Sequence, residues 1–145
     1  MTKQEIISFL SCTYCRIKTS KIHGVGVHAV MPIKKGTNLF PDCSVDLNKI
    51  IKINKKEVDH LHENVKQMMG DFLIESETHY FTPISLNKID ISYFLNHSNT
   101  PNCEWVESDD SFRNLIDLDE GDELTLDYEK YLNSELVKNY YEEEN

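Results

Sequence analysis

The chain has 145 residues, 39% of them hydrophobic, and 25 acidic against 15 basic residues give a formal net charge of -10. That length suits one domain with a real core and leaves no room for a second of comparable size, while the charge disfavours a nucleic-acid partner, held through many Lys and Arg contacts, and favours a basic one. No apolar run approaches the roughly 18 residues of a membrane span and MTKQEIISFL lacks the basic start and cleavage site of a signal peptide, so a soluble intracellular protein is expected, with no membrane partner.

The first strand is predicted over 13–19, where the pattern alternates loosely. Cys12 and Cys15 within and before it form a C-x-x-C pair. A structural zinc needs four ligands and no second pair follows, so these read as packed or partly exposed thiols and no metal site is expected. KIHGVGVHAV and MPIKKGTNLF come next, with Gly24, Gly26, Pro32 and Gly36 as punctuation. They predict a hairpin-like pair of strands near 25–30 and 37–40. A helix is predicted after Asn54, which can cap it, with Glu57 at the reciprocal capping-box position. Val58, Leu61, Val65 and Met68 would form its apolar stripe and Gly70 its stop, while His60 and His62 face different ways and read as surface residues. Short strands resume around Tyr80 and Phe81, with Pro83 at an edge.

YFLNHSNTPN follows, an aromatic lead-in that breaks into residues able to bond their own backbone. It reads as a buried, internally bonded segment presenting Asn96 and His97 to a ligand. Three more strands are predicted at 103–106, 113–118 and 124–126, then a marginal helix over 131–141. Acidic residues crowd this last third, most of them reading as a solvated face. Many short strands with one helix inserted mid-chain predict a mostly β domain.

Three motifs occur in order: G-V-G at 24–26, N-H-S-N-T-P-N at 96–102 and G-D-E-L-T-L-D-Y at 121–128. With KIHGVGVHAVMPIKKGT, YFLNHSNTPN and EGDELTLDY in these places, the chain resembles the SET-domain protein lysine methyltransferases over 13–131. The resemblance implies a single SET domain of β-clip fold spanning 1–145, with a C-terminal pseudoknot, its core about 13–131 and a helical, acidic tail over 132–145. It implies S-adenosylmethionine as cofactor, bound by His23, Gly24, Val25, Gly26, Asn96, His97 and Tyr128. It implies Tyr128 as the catalytic residue, a substrate channel walled by Trp105, Leu126 and Tyr131, and a basic protein carrying the target lysine as partner. Asp127 would brace the pseudoknot, and Glu104, Glu107 and Asp109 would attract the basic segment. A rival reading is an inactive SET-like module that binds a basic segment. The sequence lacks the family's cysteine-rich zinc module after Tyr128, leaving the 131–141 segment as its replacement. Leu126 stands where the family often has Phe or Tyr, and Tyr80 is the candidate for a remaining cofactor-binding aromatic. The physical core of this reading is that the backbone near His97 and the Tyr128 hydroxyl meet at one pocket.

Overall fold

The computed structural model describes residues 1–41, 51–83 and 85–132. They belong to two units, one holding 1–41 and 94–132, the other the described residues between 51 and 93. Short strands outnumber α-helices in both, in keeping with a mostly β chain that has a helix inserted mid-chain.

The first unit opens with a helix that pattern reading passes over, α1 (Lys3–Ser11). Thr2 starts it with a capping box: its hydroxyl accepts from Glu5 N at 3.2 Å, and the Glu5 carboxylate accepts from Thr2 N at 2.6 Å. None of its residues is buried, and its apolar residues Ile6, Ile7, Phe9 and Leu10 are exposed. Strand β1 (Cys15–Thr19) then pairs antiparallel with β2 (Val25–Ala29), Cys15 opposite Ala29 and Thr19 opposite Val25. The sheet continues through two strands from the far end of the chain, β9 (Glu123–Leu126) and β6 (Asn96–His97), in the order β1-β2-β9-β6. Val27 and Leu124, opposite each other on β2 and β9, are fully buried at its centre.

The hairpin expected between 25–30 and 37–40 does not form. Strand β2 already has β1 and β9 on its two sides, and beyond Pro32 the chain locks onto another partner. Ile33 and Leu118 exchange backbone hydrogen bonds of 2.9 and 2.8 Å, and Leu39 N then donates to Phe112 O at 2.9 Å. Phe112 lies on β8 (Ser111–Asn114), which pairs antiparallel with β7 (Cys103–Val106). The strand expected over 113–118 thus starts earlier and stops at Asn114. Asn114, 2% exposed, holds this corner: its amide donates to Lys34 O and Ile116 O, each at 2.9 Å, and its oxygen accepts from Thr37 N at 3.0 Å. Such satisfaction is what makes a polar group tolerable in a core.

In the second unit, β3 (Ile51–Asn54), β5 (His79–Thr82) and β4 (Ile74–Glu75) form a sheet in that spatial order. Asn54 caps as predicted, with the Glu57 capping box present, but it caps a single 3-10 turn over Lys55–Val58. The α-helix, α2 (Glu63–Phe72), starts later under a second cap, His62, whose ring nitrogen accepts from Asn64 N at 3.1 Å. Gly70 lies inside it rather than ending it. The stripe differs too: Val65 and Met68 are exposed, and Met69 is the buried residue of the helix, joined in the core by Leu73 and Phe81. The break after Val58 resets the helical phase, which moves the buried position by one residue.

Candidate active site

The segments predicted to meet do so within the first unit. Strand β6 runs parallel to β9, Asn96 opposite Thr125 and His97 opposite Leu126. Ser98 N extends the pairing by donating to Leu126 O at 3.0 Å. Asn102 then grips β9 again on the far side of the loop. Its amide donates to Glu123 O at 2.8 Å and its oxygen accepts from Thr125 N at 2.8 Å, the two bonds a neighbouring strand would have made. Leu95 and Asn96 are buried, Asn99 and Thr100 are exposed, and the rest of YFLNHSNTPN is half-buried.

Tyr128 begins α3 (Tyr128–Leu132), capped by Asp127, whose carboxylate accepts from Glu129 N at 3.0 Å. Two contacts tie Tyr128 to the Asn-His segment. Its backbone N–H donates to His97 Nδ1 at 3.1 Å, and its hydroxyl donates to Leu95 O. Because Nδ1 accepts from an amide, the imidazole proton sits on Nε2, which donates to Asn99 Oδ1 at 3.0 Å. The His97 and Tyr128 rings lie 5.2 Å apart, and Tyr128 keeps 41% of its surface accessible. Burial pushes its phenol above the usual value, so at neutral pH it remains protonated.

The glycine turn sits on the other side of Asn96. The Asn96 amide nitrogen lies 3.1 Å from Val25 O and 3.2 Å from His23 O, so the side chain expected to hold a ligand is holding the turn. Two residues that sequence reasoning left out complete the arrangement. Ser20 Oγ accepts from Ile22 N and His23 N and donates to Glu123 Oε1 at 2.7 Å; Glu123 Oε1 also accepts from Asn96 Nδ2 at 2.8 Å. A serine just before a turn is a usable local signal. Glu123 carried none, since it stood in an acidic run.

Of the proposed channel residues, Trp105 and Tyr131 come together at 5.9 Å between centroids. Phe112 packs against both, at 4.8 and 6.0 Å, and Phe40 against Phe112 at 5.9 Å. Among the described residues, the Trp105 Nε1–H is buried without a hydrogen-bond partner. Leu126 is buried in β9, 5% exposed. Asp109 is taken by its neighbours: Ser111 and Arg113 both donate to it, the latter at 2.6 Å, and together they hold its carboxyl below the usual range. Tyr80 lies in the second unit with the Lys55 ammonium 5.1 Å from its ring. Among the described residues no cluster of His, Cys, Asp and Glu suits a metal ion, and no helix is long and apolar enough to cross a membrane. Residues 133–141 of the predicted terminal helix lie outside the described residues.

Against known proteins, the sequence model of the SET domain matches residues 24–129. No curated protein matches the chain. Among matching solved structures is a Plasmodium falciparum protein carrying the provisional name of histone methyltransferase. It is 18% identical with a TM-score of 0.44, the match covering 80% of this chain and 93% of that one.

Proposed function

Since the chain belongs to the SET-domain family, we propose that it is an S-adenosylmethionine-dependent methyltransferase acting on a lysine ε-amine of a basic protein. The observation that carries the reading is the convergence at Asn96: the glycine turn on one side, and His97 with the Tyr128 hydroxyl on the other. The parallel pairing of β6 with β9 supports reading these two segments as the family's pseudoknot.

The residues present fit the cofactor. Gly24 has φ +50° and, among the described residues, nothing within 4 Å of where a Cβ would stand, so the exposed side of the turn admits close approach by a ligand. His23, Gly24, Val25 and His97 would hold the donor, with Asn96 tying down the turn beneath it; when bound, the donor supplies a methyl group already activated on a sulfonium. Tyr128 spends its one proton on Leu95 O, which leaves its oxygen lone pairs to accept weak C–H contacts and to orient the incoming amine. A protonated phenol is no general base, so the amine has to arrive neutral. An ordinary lysine costs about 4 to 5 kcal/mol to deprotonate at pH 7. A dry channel lowers that cost by disfavouring the ammonium, and the aromatic group of Trp105, Phe112 and Tyr131 is the candidate wall.

Incubating the protein with labelled donor and a set of basic proteins, followed by mass spectrometry, tests the reading: one-methyl increments should map to lysines. Tyr128→Phe should lower kcat about a hundredfold, the scale of a lost alignment contact, while donor affinity changes little. Donor binding with no transfer to any lysine would leave an inactive binding module instead.

A further inference from the structure

The second glycine of G-V-G answers to the protein's own carboxylate. A Cβ built on Gly26 would stand 2.1 Å from Glu123 Oε1, 2.9 Å from its Cδ and 3.0 Å from Asn96 Nδ2. Glu123 thus occupies the space a side chain at 26 would need. The oxygen that intrudes there accepts from both the Ser20 hydroxyl and the Asn96 amide, at 2.7 and 2.8 Å. Resting on the donor-site reading above, we infer that Glu123 and Ser20 are positioning residues, a latch that ties the 20–26 turn to β9 through Asn96 and sets the turn's shape for the methyl donor.

The supply of protons and lone pairs explains why one carboxylate governs this point. Ser20 Oγ has two lone pairs and one proton. It accepts from Ile22 N at 2.9 Å and His23 N at 3.2 Å, so its proton is free to go to Glu123. Asn96 Nδ2 has two protons and four acceptors within 3.2 Å: Glu123 Oε1, Ser20 Oγ, Val25 O and His23 O. Only Glu123 Oε1 accepts from both side chains while donating to neither, and a carboxylate makes such bonds shorter and about twice as strong as a neutral acceptor does. Ser20 N closes the turn by donating to Gly24 O at 2.9 Å, so the loop's backbone and its anchor share one residue. Ser20 and Glu123 are 103 positions apart, and the latch forms only once β9 has joined β2. A donor bound at the turn would therefore meet a backbone whose shape is set from β9.

The test separates the latch from the donor reading. Hydrogen exchange on the donor-free protein follows the Ile22 and His23 amides, which bond the Ser20 hydroxyl directly. In Glu123→Gln their exchange should quicken about tenfold, the loss expected when a charge-assisted bond becomes neutral, with the melting temperature close to that of the parent. Calorimetric titration with S-adenosylhomocysteine should show affinity falling by a similar factor. Ser20→Ala should copy both effects and Ser20→Thr, which keeps the hydroxyl, should rescue them, so the serine pair decides the matter if Glu123→Gln does not fold. Unchanged exchange at the two amides overturns the latch. Faster exchange with unchanged affinity overturns its positioning role. A parent protein that binds no S-adenosylhomocysteine overturns the donor reading, while amide exchange still decides whether the latch exists.

Discussion

Gly24 and Gly26 are two residues apart in one motif and are glycine for different reasons. Gly24 takes φ +50°, a conformation L residues avoid, yet has open space around it; Gly26 has no such backbone demand and is hemmed in by Glu123 and Asn96. Gly24→Ala should therefore cost about 1 kcal/mol of backbone strain and little else. Gly26→Ala should force Glu123 out of the latch and cost more. Placing Gly26→Ala in a Glu123→Ala background should recover part of that loss, a coupling that thermal or urea denaturation of the four proteins measures. At this scale part of the candidate site was legible in the sequence. Gly24, Gly26, Asn96, His97 and Tyr128 were legible because their types and spacing are unusual together. Glu123 was not, because nothing distinguishes a latching carboxylate from a solvated one until a strand pairing brings Ser20 to it across 103 residues. Asn96 was legible as a residue but not in its bonding, since an amide that serves a ligand and one that serves a turn have the same sequence.

Elements were legible where local chemistry and burial agreed. Strand β7 was read at its true bounds, and β1 and β2 nearly so, because short runs containing β-branched residues are bounded there by turn-forming ones. Pairing was another matter: β2 was assigned to the next strand in the chain, whereas it pairs with β9, whose contribution comes from about a hundred residues away. The helix after Asn54 shows a cap read correctly and a length read wrongly. Asn54 with Glu57 starts a helix, and a second cap at His62 two turns later starts another, so the continuous stripe from Val58 to Met68 does not exist in three dimensions. Gly70 then falls in the interior of α2, exposed, with nothing among the described residues within 4 Å of the place a Cβ would take and no positive φ. Glycine there carries an entropic penalty and serves no contact. Gly70→Ala should stabilise the protein by about 0.5 to 1 kcal/mol, read as a raised urea midpoint at unchanged m-value.

For the whole molecule, the groups displaced upward in pKa all draw stability in one direction as the solution becomes alkaline. Burial raises the thiol of Cys15 from 9.0 to about 12, and burial with the neighbouring Cys15 raises that of Cys103 to about 12. Tyr128 is raised by burial, and Tyr93 by burial and the Asp90 charge. Above pH 9 the unfolded chain gives up thiol protons that the folded chain keeps, so the unfolded state binds fewer protons and unfolding becomes easier as pH rises. The stability present below pH 9 is lost progressively between about 9 and 12. The proposed reaction pulls the other way, because the neutral fraction of a lysine substrate rises about tenfold per unit below its pKa near 10.4. The rate should climb with pH through the neutral range and then collapse where the fold gives way. Replacing both Cys15 and Cys103 by Ala removes the thiol contribution, so the fall in denaturation free energy between pH 9 and 11 should flatten even though the variant starts from a lower value at pH 7. If both proteins lose stability in parallel over that interval, the buried thiols are not its source and the tyrosines and net charge carry the alkaline limit instead.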